Sequence, residues 1–131
     1  MYELVVKRHF SAAHFLPDYP GPCSRVHGHN FIVRIYVRGE RLDARGMLVD
    51  FGVLKAALLS ILEQLDHYNL NELPAFAAQN PTTENIACWI AQELVKHELV
   101  KHELGGARVH KVEVWETPGQ AATYYPLPSA A

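Results

Sequence analysis

Cysteine is scarce: Cys23 and Cys88 are the two thiols in 131 residues. One falls in a proline-rich loop and the other in a helical pattern, so they give no disulfide framework, and a reducing compartment is expected. Long apolar runs are missing as well. Nothing approaches the roughly 20 residues of a membrane span, and the N-terminal MYELVVKRHF alternates polar and apolar residues where a secretory signal would be unbroken. These absences predict a cytoplasmic protein with no membrane association. An excess of positive charge is absent too, with 12 Lys and Arg against 14 Asp and Glu. That removes the electrostatic footprint of a nucleic-acid binder but leaves room for a small polyanion held by a few local cations. No glycine-rich dinucleotide fingerprint occurs either.

What is present is a regular alternation of patterns over one domain, residues 1–131. Tyr2, Leu4, Val6, Phe10, Ala12 and then His14 share one parity, the period of a half-buried strand. FLPDYPGPCSRV, rich in proline, reads as a structured loop, after which His27, His29, Phe31, Val33, Ile35 and Val37 share a face. FGVLKAALLSILEQLD has helical spacing with Asp50 as N-cap, and a second helix starts at Thr82 or Thr83 after Pro81. Within it ELVKH occurs twice in tandem, which is read as a duplication lengthening the end of that helix, with Glu93–His97 and Glu98–His102 as surface pairs. Gly105-Gly106 stops the helix. A third strand follows in which His110, Val112, Val114 and Glu116 share a parity, then a short fourth, ATYYPL. The order ββααββ predicts an α+β fold, a four-stranded antiparallel sheet with two helices on one face.

Histidines cap the apolar stripes of the first two strands. Residues i and i+2 of a strand point the same way, so His27 and His29 share a face, with Gly28 removing bulk between them. If the two strands pair as antiparallel neighbours, His14 arrives beside them. Three imidazoles with no fourth protein ligand suit a zinc ion that keeps a position open for chemistry. A second reading closes the site with Cys23 as fourth ligand, a structural knuckle. A third is a chance cluster in a chain with eight histidines. Spacing does not decide among them. LDHYN sets Asp66 and His67 at the end of the first helix, where a carboxylate can orient an imidazole base or the histidine can simply cap the helix. Glu116 is a lone carboxylate that either ends a strand at the surface or binds a guanidine-like ligand edge. His97 and His102, five apart, do not have the spacing of a helical ligand pair.

FSAAH, CSRVHGHNF, GMLVDF, LDHYNLN, NPTTENIA and VWET, in this order and at this length, resemble the 6-pyruvoyltetrahydropterin and 6-carboxytetrahydropterin synthase family. The resemblance implies a tunnelling fold, with trimers closing their sheets into a barrel and two trimers stacking into a homohexamer whose sites lie between subunits. It implies zinc (Zn2+) on His14, His27 and His29, catalysis by Cys23, Asp66 and His67, a pterin anchored by Glu116, and pterin contacts from the loop of Thr82 and Thr83. The three residues between Cys23 and His27 look like the bacterial carboxy-type branch of queuosine (7-deazaguanine) biosynthesis. The reaction implied converts 7,8-dihydroneopterin triphosphate to 6-carboxy-5,6,7,8-tetrahydropterin, acetaldehyde and triphosphate. The alternatives are a pyruvoyl-type synthase, which eliminates triphosphate without cleaving the side chain, and a non-catalytic zinc- or pterin-binding module.

Overall fold

The computed structural model describes residues 1–127. Strands β1 (Tyr2–His14), β2 (His27–Gly39), β3 (Arg108–Thr117) and β4 (Gln120–Tyr124) form one antiparallel sheet in the order β1-β2-β3-β4. The β1–β2 ladder runs without a register shift from Tyr2↔Gly39 to His14↔His27. Its core-facing residues, Val6, Phe10, Phe31, Val33, Ile35 and Val37, are buried, and the rings of Phe10 and Phe31 stack at 4.8 Å. Helix α1 (Phe51–Leu62) covers β1, and α2 (Thr83–Lys96) covers β3 and β4. Their buried residues, among them Leu54, Leu58, Ile61, Ile86, Ile90 and Leu94, complete the core. As expected, Asp50 caps α1, its Oδ1 accepting from Gly52 N at 2.7 Å, and Thr82 caps α2, its Oγ1 accepting from Asn85 N at 3.1 Å. Among the described residues no helix is long and apolar enough to cross a membrane.

Four features depart from the sequence-based expectations. The second helix is two helices: α2 stops at Lys96, His97 is extended (φ −65°, ψ 130°), and α3 (Glu98–Glu103) begins anew. The reason lies in the repeat. Five residues advance an α-helix by about 500°, so a straight continuation would turn the second ELVKH copy off the face of the first. Breaking at His97 lets Val100 bury completely while Leu99 stays exposed. His97 therefore does not pair with Glu93. Its Nδ1 accepts from Leu99 N at 3.3 Å as the cap of α3, and its Nε2 lies 3.0 Å from Ser60 Oγ. Glu93 instead meets Lys96 at 3.0 Å, while Glu98 and His102 approach to 3.5 Å as expected. Gly105, with φ +55°, ends α3 in the left-handed conformation that glycine adopts without strain.

Next, α1 closes at Leu62, and turns carry the chain through residues 63–67 so that Leu65 can bury and Asp66 can reach β1. A bulge in β3 separates Tyr36↔Lys111 from Val37↔Val109, which drops His110 out of the buried parity and puts Val109 in. Finally, Gly28 does not relieve crowding between His27 and His29. A Cβ there would sit on the opposite face, 3.7 Å from Ala12 O, in ordinary contact.

The break at His97 predicts unequal costs within one repeat. Val100→Ala should destabilise by about 1–2 kcal/mol and Leu99→Ala by less than about 0.5 kcal/mol in denaturant titrations. Equal costs would mean that the break at His97 does not sort Val100 into the core and Leu99 onto the surface.

Candidate functional site

The end of the β1–β2 ladder sets His14 directly opposite His27, with His29 one pleat further in. The three rings lie with centroids 4.6 Å (His14–His27), 4.9 Å (His27–His29) and 5.2 Å (His14–His29) apart. Glu116, at the end of the β3 stripe after Val112 and Val114, joins them. One donor atom from each of His14, His27, His29 and Glu116 lies within 4.8 Å of all the others. The tautomers follow from the partners. His14 Nδ1 is 2.8 Å from Pro81 O, and His27 Nδ1 is 2.8 Å from Arg25 O. A carbonyl oxygen only accepts, so each Nδ1 carries the proton and each Nε2 keeps a free lone pair. His29 Nε2 is buried and makes no aligned hydrogen bond, although Glu116 Oε1 is 3.0 Å away. An orphaned ring nitrogen beside two lone pairs and a carboxylate is a donor set that fits zinc.

Burial lowers the pKa of His14 and His29 from the ordinary imidazole range. The neighbouring imidazoles push both the same way, against Glu116 and, at His14, the Pro81 carbonyl. Neutral rings are the form a metal needs.

Cys23, in a single 3-10 turn (Pro22–Ser24), lines a cavity of about 520 Å³ with His14, His27, Thr82, Thr83 and Glu116. Its sulfur is not among the converging donors. The loop is fixed by Leu16 N donating to Cys23 O at 2.8 Å, and by Asn71, which accepts from Phe15 N and donates to Phe15 O, both at 2.9 Å. Thr82 and Thr83 reach the cavity, but their hydroxyls are committed: Thr82 to its cap, and Thr83 Oγ1 donating to Glu116 Oε2 at 2.6 Å. Asp18, Glu84 and Glu116 give the lining three carboxylates, and it holds no Lys or Arg.

Asp66 and His67 are elsewhere. The segment 66–69 runs along the outer edge of β1: Ser11 N donates to Asp66 Oδ1 at 2.9 Å, His67 N to Ser11 O at 2.6 Å, and Ala13 N to Tyr68 O at 3.0 Å. His67 takes a left-handed backbone (φ +64°), rare without glycine, and its Nδ1 contacts Asp66 Oδ2 at 2.8 Å. The Ser11 amide, and then His67, hold the Asp66 carboxyl below the usual carboxylate range. The His67 ring is 81 % exposed. It borders a cleft with Ser11, Ala12, Ala13, Gly28, His29 and Asn30. His29 thus borders this cleft as well as the cluster, whereas His67 is absent from the lining of the Cys23 cavity.

Sequence reasoning missed Asn71 and the carbonyls of Pro81 and Arg25. Only Asn71, in LDHYNLN, left a side-chain signal. The pattern of 6-pyruvoyl tetrahydropterin synthases matches residues 3–126. The chain belongs to this family. Among curated relatives in it, a Synechocystis 6-carboxy-5,6,7,8-tetrahydropterin synthase is 43% identical over 121 residues, 88% of this chain and 87% of its own. A Bacillus subtilis enzyme of the same name is 44% identical over 91 residues, 66% of this chain and 60% of its own. The solved 6-pyruvoyl tetrahydropterin synthase of Caenorhabditis elegans superposes with a TM-score of 0.79 at 28% identity, covering 97% of this chain and 98% of that one. That synthase thus shares the sheet and helical layer that bring the three histidines together here.

The lowered His14 and His29 pKa values carry a sign. The unfolded chain takes up protons near pH 6.5 while the folded chain resists until lower pH, so their contribution is complete above about pH 6.5 and is lost as pH falls through the folded values. The urea midpoint of metal-free protein should drop between about pH 7 and pH 5, and more steeply than in His14→Asn. Equal slopes would show that burial of His14 does not oppose its protonation.

Proposed function

We propose that this chain catalyses the conversion of 7,8-dihydroneopterin triphosphate to 6-carboxy-5,6,7,8-tetrahydropterin, with uptake of water and release of acetaldehyde and triphosphate, in queuosine biosynthesis. The observation that carries the reading is the convergence of three imidazoles, two of which line the same cavity as Cys23. The names and identities of the Synechocystis and Bacillus relatives support the carboxy-type product, as do the three residues Ser24-Arg25-Val26 between Cys23 and His27.

His14, His27 and His29 hold Zn2+ in this reading. When bound, the ion supplies Lewis-acid polarisation of the substrate's side-chain oxygens, acidifying the neighbouring C–H bonds. Cys23 as thiolate takes a proton from one side of the chain of carbons. His67, with Nδ1 engaged by Asp66, exchanges a proton through Nε2 on the other. Glu116 accepts the amino and ring N–H of the pterin as a two-point carboxylate contact, and Thr82 and Thr83 form the rim against which the pterin lies. The ring is reduced at the expense of its own side chain, so no nicotinamide is used.

A neighbouring copy of the chain completes the site. Two observations support this: His67 is absent from the cavity that Cys23 lines, and the acidic lining of that cavity has no cation of its own for a triphosphate. The helix-free face of the sheet also leaves Ile32, Tyr36 and Trp115 only half-buried, suited to contact between copies in a homohexamer. The protein works in the cytoplasm.

Incubation of zinc-loaded protein with dihydroneopterin triphosphate should yield acetaldehyde and the carboxy product. Pyruvoyltetrahydropterin as sole product would assign the pyruvoyl-type reaction, and no turnover a binding module. Cys23→Ala should lower kcat by at least about 100-fold with zinc content unchanged. Full activity would remove the thiol from the mechanism.

A further inference from the structure

Glu116 is bound into the histidine cluster more closely than a pterin anchor requires. It continues the buried stripe of β3 as His14 continues that of β1, so the sheet's own pleat delivers a carboxylate to the place where the imidazoles meet. Its two oxygens are distinct. Oε2 is occupied by the Thr83 hydroxyl at 2.6 Å, and Oε1 lies 3.0 Å from His29 Nε2, the buried nitrogen with no aligned hydrogen bond.

The carboxylate is 20 % exposed, and no Lys or Arg lines its cavity. A largely buried negative charge facing imidazoles and a hydroxyl is costly until a cation compensates it. Zinc takes four donors at about 2.0–2.2 Å in tetrahedral array, which sets donors roughly 3.3 Å apart. The four donors here already lie within 4.8 Å of one another, little more than that spacing. Cys23 lines the cavity without joining this convergence.

We infer that in the substrate-free protein Glu116 is the fourth donor to the metal, through Oε1, with Thr83 fixing its other oxygen, and that incoming substrate displaces it. The carboxylate then has two successive partners, metal at rest and pterin edge in the complex. The displacement rests on the lyase reading above, whereas the resting ligation does not.

Cobalt(II) substituted for zinc in the whole chain reads the resting coordination directly. The visible band of the unaltered protein should resist added azide. Glu116→Ala should shift the band, admit azide, and weaken zinc by about tenfold or more in chelator competition. Thr83→Val should shift the band less. Glu116→Gln, with far-UV circular dichroism as a fold check, serves if the alanine variant fails to fold; it too should shift the band. An unchanged band in either Glu116 variant would overturn the inference, even with weakened zinc, because Glu116 would then only bond to His29. A thiolate-to-cobalt charge-transfer band would overturn it in favour of Cys23. Cobalt spectra that behave as expected in a protein without the carboxy-type activity would leave the ligation standing and remove the lyase reading.

Discussion

The register between β1 and β2 is the constraint on which the rest depends. A strand has a side-chain period of two, so a slip of one residue would send Phe31, Val33, Ile35 and Val37 to the open face together with His27 and His29. Exposing those four side chains would cost roughly 6–12 kcal/mol at about 1.5–3 kcal/mol each, comparable with the whole stability of a domain. The apolar core thus enforces the geometry of the histidine cluster, and the histidines need contribute nothing to keeping it. His14↔His27 is the last pair of the same ladder.

Around that ladder the chain spends backbone groups where side chains might be expected. Pro81 and Arg25 set two tautomers with carbonyl oxygens, and the Ser11 amide steadies Asp66. The two carbonyls survive any substitution, and the Ser11 N–H any but proline, so these contacts depend chiefly on the backbone path. The three histidines stand at the end of the buried stripes, while Asp66 and His67 sit along the outer edge of β1, each group held by its own backbone contacts.

The parity of the strands was legible because it is local and has one period. It delivered the sheet, both ligand strands and the end-of-stripe position of Glu116. What escaped was set by distant packing. The bulge that removes His110 from the core comes from the fit of β3 against β2, and the early end of α1 follows from the need of segment 66–69 to reach Ser11. Gly28 was misread because a strand's neighbour in sequence faces away, so its missing side chain concerns the cleft that His67 borders. The carbonyls that orient His14 and His27 carry no residue signature, since every residue has one. The sequence marks Thr82 and Thr83 only as the start of a helix, and the division between them, one hydroxyl to the helix cap and one to Glu116, depends on packing between α2 and β3.

The interruption at His97 has a consequence for how this chain tolerates change. Thr83 is anchored at one end of α2 and Glu116 at the far end of β3, and a rigid connection between them would transmit any change of length to their 2.6 Å contact. The duplicated pentapeptide instead folds into a short, separately capped helix that ends on a left-handed glycine and buries Val100 in the core. The added turn rests against α1 and α2 and takes no part in the contact between Thr83 and Glu116, so the duplication lengthens the chain without entering that alignment.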